Sequence, residues 1–179
     1  MSALIKAVLF DIDGTLLDSV NLHAESWVRT LAHFGIAAEF PEVRNHIGEG
    51  ADRLLPAFHG AAQGNRAIPI SAVQNGFPPK GAAVSKGKGA IRAHQKGWPQ
   101  GCSCVIMHRR SAEYEKIAAI SDIVDCESTS DDARSSKSAP DIFLKAVERV
   151  APITAHECVV IGDTHFDGEA ARNTNPHND

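Results

Sequence analysis

The chain has 179 residues, 43% of them hydrophobic and 22% charged, with a formal net charge of −4 and four cysteines. That length carries one ordinary domain or a small core with an inserted cap, and the apolar fraction suffices for a packed interior. No apolar run is long enough to cross a bilayer, no signal peptide precedes the first strand, and four cysteines scattered over this length do not make a disulfide scaffold. The expected setting is therefore the cytoplasm with reduced thiols, without a membrane partner.

The first predicted element is a strand over Lys6 to Phe10, an apolar run of the kind buried on both faces of a parallel sheet. It leads into Asp11, Ile12, Asp13, Gly14 and Thr15. Side chains alternate along a strand, so Asp11 and Asp13 leave its end on one side while Ile12 faces the other. Gly14 can then reverse the chain. Open α/β sheets bind ligands at the carboxyl ends of their strands. Two adjacent carboxylates there repel each other, and a hard divalent cation such as Mg²⁺ neutralises them through oxygen ligands.

A helix follows from about Asn21 to His33, with Ala24, Trp27, Val28 and Leu31 on one face and Gly35 as its stop. Farther on, Cys102 and Cys104 form a Cys-x-Cys pair near His94 and His108, but the spacing is too irregular for a zinc site. Pro140 starts a second helix with a stripe of Ile142, Phe143, Ala146, Val147 and Val150. After Glu157, Cys158 to Ile161 form another apolar strand, running into Gly162, Asp163 and, one helical turn later, Asp167. This repeats the logic of the first strand. Asp163 falls where a strand end sets a metal ligand beside Asp11, and Asp167 orients it or completes the cation's shell.

Taken together, these segments resemble the haloacid dehalogenase superfamily of phosphohydrolases, in its phosphoglycolate-phosphatase and beta-phosphoglucomutase-like branch with a helical cap. The opening motif DxDGT stands as Asp11 to Thr15 and continues through Leu16, Leu17, Asp18 and Ser19. The lysine motif stands as Lys137 to Phe143, with Ser138 where proline is usual, and the last motif, GDxxxD, as Gly162 to Asp167. The resemblance implies a doubly wound, Rossmann-like α/β core with a small helical cap inserted after the first strand. It implies core segments 1–18 and 104–179 and a cap region 19–103. Asp11 would attack phosphorus, and Asp13 would protonate the leaving group and later take a proton from water. Lys137 would offset the negative charge. Asp11, Asp13, Asp163 and Asp167 would hold Mg²⁺, and Gly14 and Thr15 would bind the substrate, a small phosphate ester. His23 and the loop His46 to Gly50 fall at cap positions near the substrate in such proteins, although a histidine on a helix face is more often simply solvated.

The middle of the chain departs from this pattern. From Arg53 to Ala112 there is no Asp or Glu, yet the segment holds nine of the eighteen Lys and Arg residues, leaving 22 acids against 9 bases elsewhere. Leucine is missing from Pro56 through Phe143, and no sustained helical or strand period is legible. A basic loop attracting nucleic acid or anions, and an insertion too polar to fold, are two readings. The reading adopted is a shift of frame near His59 that recovers near Ala112, so that 59–112 are not the residues the fold was built around; a transcript-supported frame on resequencing would overturn it. The family's hydroxyl at the end of the second core strand would fall near Cys104 to Met107, with Ser103 and Ser111 as weak candidates. At the other end, the resembled fold continues past Arg172 into a further strand and helix, so an uncovered sheet edge and low stability are expected.

The expected activity is Mg²⁺-dependent hydrolysis of a small phosphate ester through an aspartyl-phosphate, with nucleic acid disfavoured as a partner. A sugar-phosphate mutase of the same superfamily and an inactive remnant of a phosphatase stand beside it. A receiver-like signalling module is less consistent with two acids only one residue apart.

Overall fold

The computed structural model describes residues 4–59, 82–83, 87–97, 102–107, 119–129, 137 and 139–174. Most of the anomalous middle, 60–81, 84–86, 98–101 and 108–112, lies outside them, Ser111 included.

Four parallel strands make the central sheet: β1 (Ala7–Asp11), β4 (Cys102–Met107), β5 (Cys126–Thr129) and β6 (Cys158–Ile161), in the order β5-β4-β1-β6. The chain steps outward from β1 to β4 and β5, then returns to the other side of β1 for β6. That reversal opens a crevice at the carboxyl ends of β1 and its neighbours, the place where doubly wound sheets bind ligands. β1 lies one residue later than expected, with Asp11 as its last residue, and β6 coincides with the predicted Cys158–Ile161.

All five residues of β1 are buried because the sheet is covered on both faces. Val8, Phe10 and Ile12 pack with Leu16, Leu17, Ile91 and Ile120 on one face. On the other, Ala7 and Leu9 pack with Ile142, Phe143, Ala146 and Val150 of the segment around α5 (Asp141–Arg149), and with Ala170 of α6 (His165–Thr174). Full burial of Phe10 and Leu9 contributes about 1.5–3 kcal/mol each. The alternation that sends Ile12 to the Val8 face leaves Asp11 to emerge on the other.

After a two-residue strand β2 (Leu17–Asp18), the chain enters α1 (Val20–His33), α2 (Phe40–Asn45) and α3 (Ala51–His59). These helices own a third apolar cluster of Ala24, Trp27, Leu31, Ile36, Val43, Leu54 and Phe58. This is the helical cap. The predicted stripe on α1 faces that cluster, and Gly35, at φ +79°, ends the helix in the left-handed region.

Two elements fall where no periodicity was legible. Helix α4 (Gly87–Gly97) lies inside the expected cap range 19–103, yet its Ile91 is fully buried against Val8 and Phe10 of the core. The pair Ala82–Ala83 forms β3, antiparallel to β2, and β4 begins two residues before the expected boundary at 104. The reason is tertiary: a single isoleucine seated on the sheet outweighs three glycines of low helix propensity. At the opposite side of the sheet, β6 pairs with β1 alone among the described residues, and its Val159 and Ile161 are exposed.

Candidate active site

Everything chemically notable gathers at the carboxyl ends of β1 and β6. β1 ends at Asp11 and the chain turns at once, with the N–H groups of Leu16 and Leu17 donating to the Ile12 carbonyl and that of Gly14 to the Leu17 carbonyl at 2.7 Å. Gly14 has φ +78°, and a Cβ placed there would lie 2.1 Å from Asp163 Oδ2. Any side chain at position 14 would therefore both strain the backbone and expel Asp163. Thr15 follows, its hydroxyl buried without a hydrogen-bond partner, a group that a ligand oxygen would satisfy.

After β6, Asp163 and Thr164 lead into α6. Asp167, in its first turn, accepts from the Thr164 N–H at 3.1 Å and the Thr164 hydroxyl at 2.6 Å through Oδ2. Lys137, which follows β5 in the chain, places its ammonium against Asp11 Oδ1 and 2.7 Å from Asp167 Oδ1. Asp11, Asp163 and Asp167 each bring a carboxylate oxygen within 4.8 Å of the other two. Oxygens bound to one Mg²⁺ at about 2.1 Å lie about 3–4 Å apart, so this set fits a hard divalent cation with small adjustments.

Electrostatics follow from burial. Desolvation pushes Asp11 up from 3.8 to about 7, helped by the charges of Asp167 and Asp13 and opposed by Lys137. Burial also raises Asp163, with Asp167's charge adding to it. For Lys137, burial works against the ammonium, but Asp11 and Asp167 win and its pKa rises, so it stays charged.

Asp13 is the one predicted ligand that the acidic trio does not include. Its carboxylate takes a hydrogen bond from the Ser19 hydroxyl and lies 3.1 Å from His23 Nε2. Burial of the imidazole opposes its charging, yet the hydrogen bond and charge of Asp13, with the charge of Asp11, raise the His23 pKa above 6.5. Ser19 and His23, spaced i and i+4 around the start of α1, were passed over as a pair in the sequence; that spacing beside a catalytic-type aspartate was the available signal. The cap loop reaches the site as well. A Cβ on Gly48 would lie 3.0 Å from Thr164 Cγ2, and Glu49 beside it is buried and paired with His46.

Of the two candidates for the hydroxyl on the second core strand, Ser111 lies outside the described residues and Ser103 is placed away from the crevice. Register pairs Ser103 with Val8, three residues before Asp11, whereas Ile106 stands opposite Asp11. Three residues of strand are about 10 Å, too far for Ser103 to share a ligand with Asp11.

A family model described as haloacid dehalogenase-like hydrolase matches residues 5–175. The chain belongs to this family. A phosphoglycolate phosphatase of Nitrosospira multiformis is 29% identical over 192 residues, spanning 97% of the chain and 81% of the relative. CbbY from Rhodobacter sphaeroides, solved with phosphate, superposes with a TM-score of 0.72 at 20% identity, covering 96% of the chain and 83% of CbbY. Beta-phosphoglucomutase from Clostridium difficile does so at 0.74 and 17% identity, over 96% and 82%. These two likenesses speak to the α/β core and cap.

Two measurements test the electrostatics of this hydrolase. Because its folded carboxyl titrates near 7 and its unfolded one near 3.8, Asp11 holds a proton in the fold that the unfolded chain has released. Stability should thus be greatest below pH 4 for this group and fall as pH rises through 7, by up to about 4 kcal/mol. Melting in EDTA should show Asp11→Asn gaining on the native chain from pH 4 to 7.5; a constant difference would refute the assignment. For His23, whose raised pKa stabilises the fold at pH below 6.5 and ceases to as pH climbs past the folded value, an NMR titration should give a midpoint above 6.5. In Asp13→Asn the midpoint should drop, since burial is then opposed only by the charge of Asp11; no drop would show that Asp13 does not set it.

Proposed function

We propose that this hydrolase removes phosphate from a small phosphate ester in two displacements, with Asp11 as the nucleophile. The observation that carries the reading is the convergence of Asp11, Asp163 and Asp167, from opposite ends of the chain, around the Lys137 ammonium. An oxygen of Asp11 attacks phosphorus while the bond to the ester oxygen breaks. Asp13, held by Ser19 and His23, gives its proton to the departing oxygen. Asp13 then takes a proton from water, the water oxygen attacks phosphorus, and the Asp11 carboxylate leaves, releasing phosphate. Splitting one hard displacement into two easier ones is the gain of such covalent catalysis.

Lys137 carries a compact positive charge against the transferring group, as suits phosphoryl transfer, where little covalent help is needed beyond positioning and charge. Asp163 and Asp167, with Asp11, are the residues that would hold Mg²⁺. Bound there, the ion would neutralise phosphoryl oxygens and favour the ionised form of Asp11. Gly14 supplies the close approach that seats Asp163, and Thr15 offers its unpartnered hydroxyl to the substrate. In this reading the described residues of 4–18 and 102–174 contribute to the core, joined by 87–97, and the helices through His59 form the cap.

The relatives suggest the substrates to try: phosphoglycolate, after the Nitrosospira phosphatase, and a sugar bisphosphate, after a CbbY complex with xylulose-1,5-bisphosphate. Phosphate release from this panel in Mg²⁺ should fall at least about 10³-fold in Asp11→Asn and about 10²-fold in Lys137→Ala. Equal release by Asp11→Asn and the native chain would sink the mechanism. Conversion of a hexose 1-phosphate to its isomer without net phosphate release would instead identify a mutase.

A further inference from the structure

The cap meets the acidic site at a residue that already serves it. Thr164, between Asp163 and the start of α6, donates to Asp167 Oδ2 from its N–H at 3.1 Å and from its hydroxyl at 2.6 Å. Such a pairing is ordinary at a helix start. Here it also fixes which way the carboxylate points, because Oδ1 is then left to Lys137 at 2.7 Å. Gly162 lies directly against this group, and a Cβ there would overlap the Asp167 carboxyl.

The other side of Thr164 faces the cap. A Cβ on Gly48 would lie 3.0 Å from Thr164 Cγ2 and 3.3 Å from its Oγ1, so the cap backbone itself rests against this side chain. Gly48 and Gly50 have φ of +104° and +97°, the left-handed region that glycine enters without strain. The loop is tied to its own helices: Glu49 is buried and paired with His46, the His46 ring meets Phe58 edge-on at 5.4 Å, and Ile47 packs on the cap's apolar cluster. Tied in this way, its tip moves with the cap. Threonine carries a methyl and a hydroxyl on one carbon, so a single torsion with three staggered wells sets both. One well puts the methyl toward Gly48 and the hydroxyl on Asp167; either of the others carries the hydroxyl away.

We propose that Thr164 is the positioning residue by which the closed cap orders Asp167 for Mg²⁺, so that cap closure and Mg²⁺ affinity are coupled. This rests on the reading of Asp11, Asp163 and Asp167 as the Mg²⁺ ligands. Seated against Gly48, the threonine is confined to the well that serves Asp167; with the cap lifted, all three wells open and the carboxylate loses its guide. The coupling is reciprocal, so Mg²⁺ favours closure by the same factor by which closure tightens Mg²⁺. The cation site is thereby completed when the cap covers the crevice.

Mg²⁺ affinity of the full chain, measured by calorimetric titration without substrate, tests this. Thr164→Val keeps the shape against Gly48 but removes the hydroxyl, and should weaken Mg²⁺ binding at least about tenfold. Thr164→Ser, which restores the hydroxyl, should bind Mg²⁺ more tightly than Thr164→Val. Gly48→Ala alters no ligand, yet it should weaken Mg²⁺ binding about threefold, the factor for freeing one torsion among three wells. In the Thr164→Val background it should cost nothing further, since the hydroxyl that carries the coupling is gone. Gly35→Ala controls for misfolding: it brings similar left-handed strain to the cap, at φ +79° with nothing within 4 Å of its Cβ, and should leave Mg²⁺ affinity at the native value. No Mg²⁺ binding by the native chain, native affinity in Gly48→Ala or Thr164→Val, equal losses in Gly35→Ala and Gly48→Ala, or additive losses in the double variant would each overturn the coupling. Phosphate release is read separately. These Mg²⁺ dependences in a chain whose Asp11→Asn variant still releases phosphate keep the coupling and remove Asp11 as nucleophile, whereas release that needs Asp11 beside an unaltered Mg²⁺ affinity in Gly48→Ala does the reverse.

Discussion

The structure depends on one unfavourable arrangement: like charges forced together at the end of a buried strand. Asp11 is almost fully buried, Asp167 equally so, and Asp163 leans over Gly14 toward them. In a medium less polarisable than water such carboxylates repel strongly. Lys137 is the partner that makes the arrangement tenable, touching Asp11 and Asp167 together. Burial, with the neighbouring acids adding to it, holds Asp11 up at about 7 against Lys137, and because that single positive charge does not balance the acids the trio is suited to a divalent cation.

The rest of the fold can be understood as what holds that arrangement in place. β1 is packed on both faces, so its carboxyl end cannot retreat toward solvent without exposing Phe10 or Leu9. The turn through Gly14 uses backbone angles that other residues resist, and it brings the loop after β6 into contact with the loop after β1. Ser19 and His23 open the cap and hold Asp13 apart from the acidic trio. One strand end thereby presents two carboxylates in two different environments, the condition for giving them different chemical roles. The cap, with its own cluster around Trp27 and Leu31, meets the core where Gly48 approaches Thr164.

Much of this was legible from local pattern. β6 and the stripes on α1 and α5 lie where apolar periodicity put them, because each buries a face the sequence had already made apolar. Helix α4 was not legible. Its glycines at 87, 89 and 97 disguise it, and it is held by Ile91 against the sheet, a contact between distant parts of the chain. The partners of Asp13 were invisible for a related reason: a serine and a histidine near a helix start are ordinary there, and only the turn after β1 brings them onto one carboxylate. Register decided against Ser103 as a phosphate-binding hydroxyl, since pairing with β1 sets it beside Val8.

The sequence by itself determined the kinds of groups available: apolar runs ending in aspartates, a lysine between them, a glycine where the chain must reverse. Those are local matters, settled by side-chain alternation and backbone freedom within a few residues. Tertiary structure decided which groups meet. Parallel pairing of β1 with β4 and β6 brought Asp11 to Asp163 and Asp167 at one end of the sheet. Register between strands is set by cooperative packing of both sheet faces, a property of the assembled core that no single segment contains.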